Sequence, residues 1–329
     1  MDPQDKAVSA PARFLLGRSG LDPTKPLVIV NPRAGGGLSE ARWAKLVGAI
    51  TDGLGPFDSA FTTASGHAVM LAHEAAAAGR RLIVALGGDG TVSEVANGIL
   101  AAGAGATTEL GIIPRGTGGD FRRMLQLPGG LAEAARNVRE KPAHAIDAGR
   151  VAYTAHDGTP ALRYFVNVAS FGFSSAVASK ANASSKRLGG KVAFLGATVR
   201  TLASYDNTDV WLAVDGGPRQ RRRVLMAAVG NGRYFGGGMK ICPAATLDGG
   251  HLDLVVIGDF SRMDVLTKVG RLYSGSHLSL EQVHNQTITR LDATPVEPDA
   301  IVPLELDGET PGRLPATFEV VPGALRVRF

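Results

Sequence analysis

Residues 82–100 read LIVALGGDGTVSEVANGIL. The first five, Leu82–Leu86, contain no polar residue, which is the pattern of a strand covered on both faces. Gly87–Gly88–Asp89–Gly90–Thr91 interrupts the run, and VSEVANGIL continues as a helix. A buried strand, a glycine-rich turn and a helix in direct succession form the repeating unit of a parallel α/β sheet. Such a turn leaves backbone N–H groups pointing at an anion, and the helix N-terminus adds a favourable field. Asp89 can orient that loop, meet a magnesium ion carried by a nucleotide, or simply cap the helix. Neither G-x-G-x-x-G nor G-x-x-x-x-G-K-[ST] occurs, so the turn is not a dinucleotide fingerprint or a Walker loop.

The same order recurs on both sides. Leu27–Val30 (LVIV) stops at Asn31–Pro32, the loop Arg33–Gly37 follows, and Ser39 opens a helix with Trp43, Leu46, Val47 and Ile50 on one face. Phe61 and Thr62 end a short segment, and a helix begins near Gly66–His67. Leu110–Ile113 (LGII) leads into PRGTGGD and the helix start FRRML, where Asp120 either caps the helix or touches a ligand. Strands that each end in a glycine-bearing turn predict a mostly parallel sheet with its site at the strands' C-terminal ends.

The alternation fades near residue 140. Strand-like runs follow at Tyr164–Ala169, Val210–Val214, Val224–Val229 and Leu252–Ile257, with helical patterns near 191–203 and 262–273. Short alternating runs close the chain: ITRLDA, VPLELD, ATFEVV and ALRVRF. This predicts an N-terminal arm (1–25), an α/β domain with a mostly parallel sheet (26–140) and a β-rich, sandwich-like second domain (141–329). The last strands of the second domain are placed to pack back toward the first.

Composition narrows the function. The 329 residues carry 35 basic and 30 acidic side chains, a modest excess that permits an anionic partner without naming one. No helix-turn-helix, zinc-finger or aromatic-ladder pattern accompanies it, so no nucleic-acid partner is expected. Arg219–Arg223, interrupted by Gln220, reads as a solvated hairpin edge or as a contact to phosphate or an anionic membrane surface. The single cysteine, Cys242, excludes an intrachain disulfide and a cysteine-based zinc site and suggests a reducing compartment. The N-terminus lacks a signal-peptide apolar core, and no run approaches a membrane span, so the expectation is a cytoplasmic protein with at most peripheral membrane contact.

NPRAGGG, GGDGTVSEVANGIL and IIPRGTGGDF, in that order, resemble the catalytic domain of the diacylglycerol kinase family, and among its members the bacterial soluble lipid kinases and their sphingosine-kinase-like relatives. The resemblance continues through NVASFGFSSAV (167–177), GNGRYFGGGMKICPAA (230–245), HLDLVVI and LELDGE (304–309). It implies an ATP-dependent lipid kinase with its nucleotide in the cleft between the domains. ATP-binding residues would be Asn31, Thr62, Gly87, Gly88, Asp89, Gly90, Thr91, Val92, Ser93 and Thr117. Glu309 would be the general base, with Asp307 and Asp89 organising the site. The residues themselves are compatible. In a continuous strand Asp307 and Glu309 share a face, whereas Asp307–Gly308 is also a favoured hairpin turn.

Two departures from the family pattern stand out. GTxND appears here with Gly119 in place of Asn, and DG-x-LD appears as Asp248–Gly249–Gly250–His251–Leu252–Asp253. The family's metal-associated Asp therefore falls on Gly249. Thr246 and His251 would supply backbone carbonyls to a structural magnesium, and Asp248 sits one residue early, so that ion is expected to be altered or lost. The magnesium that accompanies ATP is separate. Expected partners are ATP, a lipid with a free hydroxyl, a transiently contacted membrane and a second copy of the chain. The alternatives are a kinase for a soluble alcohol, similar to NAD kinases, and a non-catalytic nucleotide-binding regulator.

Overall fold

The computed structural model describes residues 23–116, 119–183, 201–202 and 204–329. Thr117, most of the arm and most of the helical pattern near 191–203 lie outside them. In the first half, β1 (Leu27–Val30), β2 (Asp58–Phe61), β3 (Leu82–Gly87) and β4 (Glu109–Pro114) alternate with α1 (Glu40–Leu54), α2 (His67–Ala77) and α3 (Asp89–Ala101). Two further helices, α4 (Asp120–Met124) and α5 (Leu131–Glu140), follow β4. Ser39 caps α1 by accepting the Arg42 N–H, as Ser at an N-cap does.

The second half contains β5 (Ala143–Ala155), β6 (Pro160–Phe165), β7 (Val168–Gly172), α6 (Phe173–Ala183), β8 (Thr208–Val214), β9 (Gln220–Val224) and β10 (Met226–Gly230). A small hairpin, β11 (Tyr234–Phe235) and β12 (Met239–Lys240), precedes β13 (Leu252–Ile257). Then come the short helices α7 (Arg262–Lys268) and α8 (Arg271–Ser274) and the strands β14 (Val283–Ile288), β15 (Arg290–Pro295), β16 (Pro303–Leu306) and β17 (Glu309–Arg328).

The first-half strands lie parallel in the order β2-β1-β3-β4. Val30 pairs with both Phe61 and Leu86, and Gly87 pairs with Pro114. This register brings the turns after β1, β3 and β4 to one edge at one level. Leu27, Ile29, Ile83, Ala85 and Ile112 pack one face against α2 and α3, while Val28, Val30, Val84 and Ile113 pack the other against α1 and α5. Both faces are therefore apolar, which is why the strands read as unbroken hydrophobic runs.

The second half is antiparallel. Its core joins Phe165, Phe171, Leu212, Val229, Leu254, Leu291, Leu304 and Phe318 from facing strands. ITRLDA and VPLELD fall on the separate strands β15 and β16, but the last two runs, ATFEVV and ALRVRF, are one strand. β17 crosses the molecule, pairing antiparallel with β5 from Gly312 to Arg328 and parallel with β4 over Arg326–Arg328. Its register shifts between Arg313 and Ala316 and between Val321 and Leu325. Pro315 and Pro322 occupy those two breaks, and neither has an N–H to give the ladder. The same strand thus serves the sandwich and extends the parallel sheet.

Candidate active site

The three converging turns touch one another. Asn31 donates its backbone N–H to Leu86 O (3.1 Å) and its side-chain amide to Thr91 Oγ1 (3.1 Å). A Cβ at residue 87 would stand 2.3 Å from Thr91 Oγ1, and one at residue 116 would stand 3.2 Å from Gly88 Cα. Close approach therefore demands glycine at 87. A Cβ at Gly88, in contrast, would meet none of the described residues within 4 Å, so among them that stretch of backbone is open. Gly88 is also the N-cap of α3 and, as glycine, offers no side chain to the first N–H groups of the helix. A cleft opens here, lined by Gly87, Gly88, Asp89, Arg115, Gly116 and Gly119 among others. Its glycine backbone and helix end suit a nucleotide phosphate.

Asp89 binds the neighbouring turn. Its Oδ2 accepts the N–H of Gly119 (3.0 Å) and of Asp120 (2.9 Å), so the first turn of α3 shapes the entry to α4. Asp120 does not cap its own helix, for which Gly119 is the N-cap. Its Oδ2 accepts the Gly237 N–H (2.8 Å) and its Oδ1 pairs with Arg123 (2.8 Å), linking α4 to the glycine tract of the second half. Burial is the main influence raising the Asp120 carboxyl pKa, with the Asp89 charge adding to it. Thr62 is buried and donates its N–H to Val30 O (2.9 Å). Val92 and Ser93 are buried on α3, with Ser93 against Asp307. The His67 ring serves its own helix entry, accepting the Thr63 N–H at Nδ1 (3.1 Å).

Asp307 and Glu309 do not share a strand face. Asp307 (φ 49°) and Gly308 (φ 91°) form a two-residue turn closed by the Leu306–Glu309 pair, so Gly308 breaks the pleat. Asp307 faces backwards. Its carboxylate accepts the N–H groups of Val166 (3.0 Å), Asn167 (3.0 Å) and Val168 (3.1 Å), anchoring the turn to the β6–β7 link. Burial raises its pKa against the pull of those donors. Glu309, the first residue of β17, faces the other way, with Oε1 3.8 Å from where a Cβ on Gly90 would stand. A carboxylate from the second half thus meets the glycine turn of the first.

Three acidic residues that sequence reading did not single out hold this arrangement together. Glu94 accepts the N–H of Gly66 (3.0 Å) and of Ala68 (3.1 Å), capping α2 from α3. Asp147 holds two loops, accepting Gly250 N–H (2.6 Å) and Gly323 N–H (2.8 Å). Glu305 lies between Leu304 and Leu306 and is buried, on a strand against which α6 packs. Such long-range carboxylate–backbone contacts have no periodic sequence signal.

Burial pushes the Glu305 carboxyl up to about 7, opposed by bonds from Ser170 and Gly308 and reinforced by the charges of Asp307 and Asp120. The folded chain therefore keeps a proton that the unfolded chain releases as pH rises past the ordinary carboxylate range. The stabilisation is fully present below that range and lost as pH rises through about 7. Glu305→Gln should gain about 3 kcal/mol relative to wild type between pH 4 and pH 8. Urea unfolding at the two pH values checks this; parallel pH profiles would contradict it.

The loop aligned with the family's structural magnesium, residues 246–251, is held by Asp147 and packed by its own His251. Asp248 is exposed, and Asp147 secures the loop at Gly250. A Cβ at 249 would stand 2.6 Å from His251 Cε1 and 2.6 Å from Thr246 Oγ1, while His251 Nδ1 lies 2.8 Å from Gly249 O. The imidazole thus fills the space that a side chain at 249 would need. Among the described residues no group of three His, Cys, Asp or Glu side chains is placed to hold an ion. Gly249→Asp should destabilise by about 1 kcal/mol as the His251 ring is pushed aside, and adding His251→Ala should recover part of the loss. Thermal unfolding of the single and double variants decides it; equal stability of Gly249→Asp and wild type would show the space to be open.

Residues 25–151 match the model of the diacylglycerol kinase catalytic domain, and residues 167–329 match the YegS C-terminal NAD kinase beta sandwich-like domain. A probable lipid kinase YegS-like protein of Xanthomonas axonopodis pv. citri is 32% identical over 278 residues, covering 83% of this chain and 86% of that protein. The chain belongs to the diacylglycerol kinase catalytic-domain family. Within that family, a diacylglycerol kinase of Mycobacterium tuberculosis is 33% identical over 254 residues, 77% of this chain and 78% of its own. A solved structure of a provisionally assigned diacylglycerol kinase from Bacillus anthracis str. Sterne superposes with a TM-score of 0.73 at 26% identity, covering 93% of this chain and 96% of that one. The two-domain architecture is that of the family. The first matched model ends within β5 and the second begins just before β7.

Proposed function

We propose that this chain transfers the γ-phosphoryl group of ATP to the hydroxyl of a diacylglycerol-like or sphingoid-like lipid, with Glu309 as general base. The observation that carries the proposal is the stance of Glu309 against Gly90, in the same glycine turn as Gly88. In this reading the nucleotide lies in the cleft between the halves, with its phosphates on the Gly87–Thr91 turn and the N-terminus of α3. Asn31 holds Thr91, and Asp89 holds the Gly119–Asp120 turn, so the phosphate-binding backbone is set before ATP arrives. Magnesium bound with ATP supplies charge neutralisation on the phosphate oxygens. Glu309 accepts the proton of the attacking hydroxyl as the oxygen–phosphorus bond forms and ADP leaves. Asp307 acts through the backbone of the turn that bears Glu309.

Turnover at a membrane surface follows from a lipid acceptor. No helix among the described residues is long and apolar enough to cross a membrane, and we assign the chain to the cytoplasm with transient peripheral contact. The basic run supports the solvated-edge reading more than a phosphate site. Among the described residues β9 pairs only with β8, and Arg221 and Arg223 are engaged with Asp209 and Asp259.

A soluble-alcohol kinase is the competing reading. ATP turnover measured with and without detergent-dispersed diacylglycerol, and with glycerol and NAD as soluble acceptors, separates them. Stimulation by the dispersed lipid alone is expected. Stimulation by a soluble acceptor alone would overturn the lipid assignment.

A further inference from the structure

Glu305 is a buried carboxylate for which the mechanism above has no task. It sits on β16 directly opposite Ser170 on β7. One oxygen, Oε2, accepts the Ser170 hydroxyl, and the other, Oε1, accepts the backbone N–H of Gly308 (2.5 Å each). Ser170 is itself fully buried and receives the Ser174 hydroxyl (2.9 Å). The Gly308 contact matters because Gly308 is the second central residue of the turn that leads into Glu309. Asp307, the first central residue, is already held through its side chain by three backbone donors. The turn is thus clamped at both central residues, once through a carboxylate it carries and once through a carboxylate it receives.

We infer that Glu305 is a positioning residue for the phosphoryl transfer, fixing the Asp307–Gly308 turn so that Glu309 stands against the glycine loop at Gly90. The inference rests on the reading of Glu309 as base and adds to it a residue outside the DGE motif. Asp307 fixes its own end of the turn, and the Glu305 contact adds a second hold at Gly308, next to Glu309. A displacement of about 1 Å at a reacting group costs on the order of 100-fold in rate. The groups facing Glu305 are the Ser170 and Ser174 hydroxyls from β7 and α6, the Asp307 carboxylate from the turn and the Asp120 carboxylate from α4.

The test uses the full chain, detergent-dispersed diacylglycerol and ATP, with Glu305→Ala, Glu305→Gln, Ser170→Ala and Glu309→Ala compared. Glu305→Ala should lower kcat by about 10–100-fold while ATP affinity and the ATP KM stay within about twofold. Glu305→Gln should recover to within about fivefold of wild type. Its amide oxygen accepts the Gly308 N–H, and its amino group donates to Ser170, which turns its own proton toward Ser174. Should Glu305→Ala not fold, Ser170→Ala, which removes one of the two partners, is expected to lower kcat about three- to tenfold with ATP affinity within about twofold and a modest fall in melting temperature.

Wild-type kcat in a folded Glu305→Ala chain, beside an inactive Glu309→Ala chain, overturns the inference and leaves the assignment of Glu309 intact. Equal loss in Glu305→Ala and Glu305→Gln, in step with lost ATP binding or lower melting temperature, also overturns it, since a general structural role would do that. Unchanged kcat in Ser170→Ala, where Glu305→Ala cannot be measured, overturns it too. An active Glu309→Ala chain removes the reading on which it rests.

Discussion

Replacing Glu309 by Ala lowers phosphoryl transfer to lipid by about 10²–10⁴-fold while ATP binding stays within about twofold of wild type. The size follows from what a positioned general base contributes. The selectivity follows from geometry. Glu309 reaches the glycine loop from the other half of the molecule and is not among the residues that line the cleft. Nothing in the folded chain depends strongly on it, since it is partly exposed at the start of β17 and its neighbours hold the turn. The folding free energy of Glu309→Ala should therefore stay within about 1 kcal/mol of wild type. Radiolabel transfer, ATP titration and urea unfolding on one preparation check all three expectations. Loss of ATP binding in parallel with activity would place Glu309 in nucleotide binding instead.

Asp307→Ala is expected to behave in the opposite way, destabilising the chain by about 3–5 kcal/mol. The carboxylate accepts three backbone N–H groups at residues 166–168, and hydrogen bonds to a charged acceptor contribute about 1.5–3 kcal/mol each before water replaces some of them. Asp307 also adopts a positive φ of 49°, which Ala tolerates less well than Asp or Asn. Asp307→Asn keeps that tolerance and one acceptor oxygen, so it should lose less. Urea unfolding separates the three proteins, and equal stability of Asp307→Ala and wild type would remove the anchoring role. Adjacent members of one short acidic motif thus divide the work: one builds the turn, and the other is carried by it.

The parallel half was legible because β1, β3 and β4 are buried on both faces and lead into glycine-bearing turns, whereas the partly buried edge strand β2 read only as a short segment. Leu27–Val30, Leu82–Leu86 and Leu110–Ile113 declare themselves by the absence of polar residues, and Gly87 declares a close approach. The antiparallel half was legible only as a class. β17 escaped as one strand because Pro315 and Pro322, which read as stops, are accommodated as bulges within a continuous ladder. The polar side of the site was partly legible. LELDGE marked the place, with Asp307 and Glu309 on one face in a continuous strand or Asp307–Gly308 as a hairpin turn; the positive φ at Asp307 and the Leu306–Glu309 pair decide for the turn. Glu305 was not singled out, because its partners Ser170 and Gly308 are brought to it by tertiary placement. Glu94, Asp120 and Asp147 act on backbone N–H groups of distant loops, contacts that depend on tertiary placement alone.

The most direct test of the assignment is transfer of label from γ-labelled ATP to a lipid panel containing diacylglycerol, a sphingoid base, ceramide and phosphatidylglycerol, with Glu309→Ala as control. Labelled lipid from the wild-type chain, and none above background from an ATP-binding Glu309→Ala chain, is the predicted result. No labelled lipid across the panel, or equal labelling by the two proteins, would contradict the account.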